Sequence, residues 1–117
     1  NTFPRNNQTS MPIVRIDFDK EKVSAIDAEA VSQAIQKIVA DETKIEDVIV
    51  YANDAQIKVK AWPIEIFVQM SEQKIVNEEE LFESLKSRIV AWKQESGFVH
   101  PINLTFIPMK WRIEVGL

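Results

Sequence analysis

The chain predicts an α+β fold: duplicated β-α-β units forming a four-stranded mixed sheet with two helices on one face. Three features carry that reading. Short runs alternate apolar and polar residues with a period of two, as half-buried strands do. Two longer stretches place apolar residues at helical spacing. The order strand, helix, strand then occurs twice. Pro12-Ile13 heads the first strand and Pro63-Ile64 heads the third, about 50 residues later, which points to an internal duplication.

Asn1 to Ser10 is polar, carries Pro4 and has no periodicity, so it reads as an extension. The predicted organisation is an N-terminal extension over 1–11 and a single domain over 12–117. From Pro12 to Phe18, Val14, Ile16 and Phe18 share one face; Ile13, Arg15 and Asp17 share the other. Ser24 or Asp27 can cap a following helix. Ala30, Val31, Ala34, Ile35, Ile38 and Val39 give it an apolar stripe, and it ends between Asp41 and Lys44.

Asp47 to Tyr51 reads as the second strand. Asn53 and Asp54 carry turn chemistry. Ile57 to Ala61 reads as a short return strand or an extension of the second. The third strand runs from Trp62-Pro63 to Met70, with Ile64, Ile66, Val68 and Met70 on one face. Asn77 and Glu80 have capping-box spacing, and Glu78, Glu79 and Glu80 suit the positive end of a helix dipole. Leu81, Phe82, Leu85, Ile89 and Trp92 trace the second helix to about Glu95, with Gly97 as its stop. Ile102 to Ile107 is the fourth strand, broken by Pro108, and Trp111 to Val115 reads as a short tail strand.

Right-handed crossovers leave both helices on one sheet face. The other face then presents Ile13, Arg15, Asp17, Ile49, Tyr51, Glu65, Phe67, Gln69, Asn103, Thr105 and Ile107. That surface is too apolar for a simple wetted face and too polar for a closed core. Such a mixture is typical of a subunit interface, so a homo-oligomer packed through its sheets is expected.

Composition narrows the chemistry. The 117 residues are one domain's worth of chain, and 45% are hydrophobic, enough for a real core. Two glycines exclude Gly-rich phosphate loops, and the absence of Cys excludes thiolate chemistry and disulfides. A net charge of −4 with scattered Lys and Arg argues against nucleic acid. No apolar run approaches the roughly 18 residues that cross a bilayer, so no membrane partner is expected and the default location is cytoplasmic. No motif for a cofactor or metal is present. His100, the one histidine, suits loop packing rather than catalysis. Arg88 reads as a salt-bridged helix residue. Trp92 reads as core, and Trp62 and Trp111 as flanking strand ends.

"MPIVRIDF", "IEDVIVYAND" and "PIEIFVQM…NEEELFESLKSRIVAW…INLTFIPM" resemble, in pattern and order, the tautomerase superfamily. The resemblance covers Met11 to about Met109. It implies a trimer whose sheets face a central barrel, a small-molecule carboxylate ligand and no cofactor. It also implies keto-enol tautomerase or isomerase chemistry on small keto acids. In that chemistry an amino-terminal proline is the base, its pKa lowered by desolvation, and arginines hold the carboxylate and the developing enolate. The matching proline is Pro12; Arg15 and Arg112 are the arginines the resemblance brings forward.

One departure matters. Pro12 follows Met11 through a peptide bond, and an amide nitrogen is not a base. A chain starting at Met11 would lose the Met and expose the amine; a chain carrying residues 1–11 would not. The alternative function is a catalytically inactive tautomerase-fold binding or structural module. From the residues alone, Arg15 reads more readily as a partner for a neighbouring Asp or Glu, and Arg112 as a surface charge. A ferredoxin-like domain is a further alternative, separable by strand order.

Overall fold

A computed structural model describes residues 11–117; the expected arm over 1–10 lies outside the described residues. The elements are β1 (Ile13–Phe18), α1 (Ala25–Thr43), β2 (Ile49–Asp54), β3 (Ile64–Ser71), a 3-10 turn (Glu72–Lys74), α2 (Glu78–Ser96) and β4 (Asn103–Met109). The sheet order is β2-β1-β3-β4. β1 runs parallel to β2, β3 parallel to β4, and β1 antiparallel to β3. Each helix therefore connects two neighbouring parallel strands. A ferredoxin-like split βαβ inserts a strand between them, so this order excludes that alternative.

The core lies between the helices and one sheet face. Val14, Ile16, Ile64, Ile66 and Val68 from the central strands are buried there with Val31, Ile35 and Val39 of α1 and Leu85 and Ile89 of α2. Ala28, rather than Ala30, completes the buried stripe of α1. Trp92 is half-buried against this core, its ring 4.8 Å from that of Phe98.

The helix ends follow local chemistry. The Ser24 side chain accepts from the Asp27 N–H at 3.1 Å, and Asn77 accepts from the Glu80 N–H at 2.9 Å. Both satisfy donors that a first helical turn leaves free. Gly97 ends α2 with φ +73°. Lys44 ends α1 in the same left-handed region, with φ 61°, where a side chain is normally disfavoured. Arg88 of α2 ties the helices together by reaching Asp41 at 3.1 Å and Glu42 at 3.0 Å. The guanidinium holds the Asp41 carboxyl below the usual carboxylate range.

Four expected boundaries change. β2 runs through Asn53 and Asp54, where a turn was expected, because these residues pair with Asp17 and Phe18 of β1. β4 runs through Pro108 to Met109. A proline that cannot donate to a ladder is tolerated because β4 is an edge strand. Residues 57–61 form no return strand. Lys58 turns in toward the end of β1, which leaves Ile57 and Val59 on either side of it exposed. The tail over 111–115 is not a strand either.

No helix among the described residues is long and apolar enough to cross a membrane.

Candidate functional site

The helix-free sheet face carries the candidate site. Pairing registers set its side chains in three rows. Ile49, Ile13, Gln69 and Ile107 form one row; Tyr51, Arg15, Phe67 and Thr105 form the next; Asn53, Asp17, Glu65 and Asn103 form the third. The face thus grades from apolar, through a cation between two aromatic rings, to acidic and amide groups. Arg15, Asp17 and Tyr51 are exposed, and Phe67 and Ile13 half-buried. No residue of the opposite helix layer covers them, because alternation sends their neighbours Val14 and Ile16 into the core.

Pro12 sits at the head of β1 with its ring fully buried, in step with Val14 and Ile16. Its carbonyl accepts from the Ile49 N–H at 3.1 Å, which fixes the parallel start of β2 against β1. Its nitrogen is an amide, joined to Met11. Pro12 and Arg15 therefore lie close along the chain but on opposite sides of the sheet. One protomer does not bring them together.

Arg112 follows β4 in the tail and is exposed. The antiparallel β1–β3 pairing and the parallel β3–β4 pairing put the head of β1 and the end of β4 at one end of the sheet. Pro12 and Arg112 thus share an end of the sheet, with β3 between their strands. An open groove of about 980 Å³ runs between the helices, lined by Ala30, Ala34, Lys37, Arg88, Ala91 and Trp92 among others. None of Pro12, Arg15 and Arg112 lines it.

Arg15 has no ion pair with any described residue of its own chain. The expected pairing with a neighbouring Asp or Glu is not made within the protomer. Asp17 and Glu65, two carboxylates directly opposite one another on β1 and β3, likewise have no cation among the described residues.

At the far end of the sheet from Pro12 lies a buried ion pair that sequence reasoning missed. Asp19 is buried just after β1, and Lys58 reaches it from the segment between β2 and β3. Lys58 also meets Glu21 at 2.9 Å. The hydrogen bond from Lys58 holds the Asp19 carboxyl below its ordinary value, and Asp19, then Glu21, raises Lys58. Asp19 Oδ1 accepts from the Glu21 N–H at 3.1 Å, its backbone carbonyl accepts from Lys22 and Val23, and its N–H donates to the Pro63 carbonyl at 3.0 Å. The available signal was an Asp directly after an apolar strand. Its partner lies 39 residues away, in a segment read as a strand. His100 packs as expected. Its Nε2 lies 2.9 Å from Asp27, and its ring stands edge-on to Phe98 at 5.2 Å.

No protein-family model and no curated protein matches the chain. Solved structures do. A 5-carboxymethyl-2-hydroxymuconate isomerase from Deinococcus radiodurans R1 superposes with a TM-score of 0.59 at 12% identity, over 90% of each chain. A macrophage migration inhibitory factor-like protein from Entamoeba histolytica gives 0.57 at 12% identity, over 91% of this chain and 96% of that one. The chain has a tautomerase-like fold. A 5-carboxymethyl-2-hydroxymuconate delta-isomerase agrees, with a TM-score of 0.57 at 15% identity over 92% of this chain and 90% of that one. At such identities the likeness is one of fold. The tautomerase-like fold accounts for the duplicated β-α-β units and for the helix-free sheet face.

Proposed function

We propose that this chain is a self-associating protein of tautomerase-like fold whose proline chemistry is masked. The observation that carries the reading is the Pro12 nitrogen, an amide bonded to Met11, at the buried head of β1. Its lone pair is delocalised into the carbonyl, so it takes no proton at neutral pH. A form beginning at Pro12 has a secondary amine at that position instead. Against the core, desolvation would lower the amine's pKa toward neutrality and make it a base. The reaction would be proton transfer between carbon and oxygen of a small enol or α-keto acid, with no cofactor.

In that form Arg112, at the same end of the sheet as Pro12, would hold the substrate carboxylate. Arg15, on the opposite side of the sheet from Pro12 in its own chain, could serve only a site completed by a neighbouring protomer. The apolar and aromatic content of the helix-free face supports assembly of several copies, with a trimer favoured by analogy with the fold. Phenylenolpyruvate turnover by the full 117-residue chain tests the masking. No acceleration is expected; turnover abolished by Pro12→Ala in the full chain would refute it.

A further inference from the structure

We propose that the loop end of the molecule, opposite Pro12, docks on an anionic membrane surface. Ile57, Val59 and Trp62 enter the headgroup region, and Lys22 and Lys60 meet the lipid phosphates.

The topology gathers three loops at that end. β1 finishes there and β3 and β4 begin there, so residues 19–24, 55–63 and 97–102 lie side by side. Backbone bonds fasten their base. The Asp19 N–H donates to the Pro63 carbonyl and the Ala55 N–H to the Phe18 carbonyl, both at 3.0 Å. His100 Nε2, 2.9 Å from Asp27, ties the third loop to the first turn of α1.

Five large apolar side chains project from this base. Ile57 and Val59 are fully exposed, Ile26 and Val99 about four-fifths, and Trp62 more than half. None of them lines the grooves of the helix layer. A protein partner is met through packed, complementary surfaces, whereas these side chains stand on separate loops around no cleft. A fluid bilayer interface accepts them one at a time, and tryptophan is enriched at that depth. Such a contact lies in the interface and needs no spanning segment.

Charge selects the kind of bilayer. The three loops carry Lys20, Lys22, Lys58 and Lys60 against Asp19 and Glu21, on a chain whose net charge is −4. Lys58 holds both of those carboxylates. On adjoining elements, Asp54 lies 3.9 Å from Lys20, and Asp27 faces His100. Asp17 and Glu65 stand back from the loops, within β1 and β3 on the helix-free face. Glu29 and Glu95 lie within the helices. Lys22 and Lys60 are exposed and have no ion pair among the described residues. Lys60 follows Val59 directly, which puts a free cation beside the inserted side chains. The negative surface potential of acidic lipids attracts such lysines.

The test is flotation of the full chain with phosphatidylserine-containing vesicles and with pure phosphatidylcholine vesicles. Binding is expected to the first and to be much weaker to the second. Ile57→Asp with Val59→Asp should weaken binding about tenfold or more, because the inserted apolar area is lost. Lys22→Glu with Lys60→Glu should weaken it about threefold or more. Val76→Asp, equally exposed at the Pro12 end, should leave it within about twofold of wild type. All of these side chains lie outside the core, and circular dichroism checks that the variants fold. Sedimentation equilibrium without vesicles should give the Ile57→Asp, Val59→Asp variant the same mass as wild type. No flotation with either vesicle, equal binding to both, or binding unmoved by the loop variants overturns the proposal. So does a changed mass of the Ile57→Asp, Val59→Asp variant, which would make the loops a protein contact.

Discussion

Lys58 reaches from the segment between β2 and β3 to the buried carboxylate of Asp19, closing the sheet end opposite Pro12. The pair holds a long connection against the end of β1, and the Asp19 backbone ties the same corner to Pro63. The contact also makes the corner sensitive to acid. The folded-state pKa of Asp19 is depressed below the ordinary 3.8. Its contribution to stability is therefore fully present above that value and lost as pH falls through the lower folded pKa. Asp19→Asn should lower Tm at neutral pH and flatten the fall in Tm below about pH 4. Thermal unfolding between pH 2.5 and 7 reads both effects. An unchanged acid limb in the variant would show that other carboxylates control it.

The two helix stops should respond with opposite signs. Gly97 has φ +73° and open space where a Cβ would stand, so Gly97→Ala pays only for the backbone and should cost about 1 kcal/mol. Lys44 holds φ 61° with a side chain present, so Lys44→Gly should stabilise by up to about 1 kcal/mol. Urea unfolding of the two variants gives both signs in one experiment.

The core should be least tolerant where the layers meet. Leu85 of α2 and Ile66 of β3 are both fully buried. Truncating either to Ala should destabilise by about 2–5 kcal/mol, the transfer loss plus the cavity left behind. The same truncation at Ile57 or Val59, both fully exposed, should change stability by less than about 0.5 kcal/mol in a protomer. Denaturant midpoints order the four variants.

Local signals made most of the fold legible. Val14 and Ile16 alternate against Arg15 and Asp17, and Ser24, Asn77 and Gly97 mark helix ends through short-range hydrogen bonding and backbone freedom. Non-local effects were not legible. Asn53 and Asp54 have turn propensity, yet pairing with β1 holds them extended. Pro108 reads as a break until its edge position is known. Residues 57–61 alternate like a strand, but Lys58 is drawn to a carboxylate far away in sequence. For the site, the sequence brought Pro12, Arg15 and Arg112 forward as one group. The pleat puts Pro12 and Arg15 on opposite sides, a separation that follows from their odd spacing of three residues.

The central claim, that the peptide bond to Met11 masks a competent proline, has one direct measurement. Phenylenolpyruvate turnover is compared between the full chain, a shortened form whose first residue is Pro12, and that form with Pro12→Ala. The account predicts turnover in the shortened form alone, lost with the proline. Equal turnover in the full and shortened forms, or none in either, would contradict it.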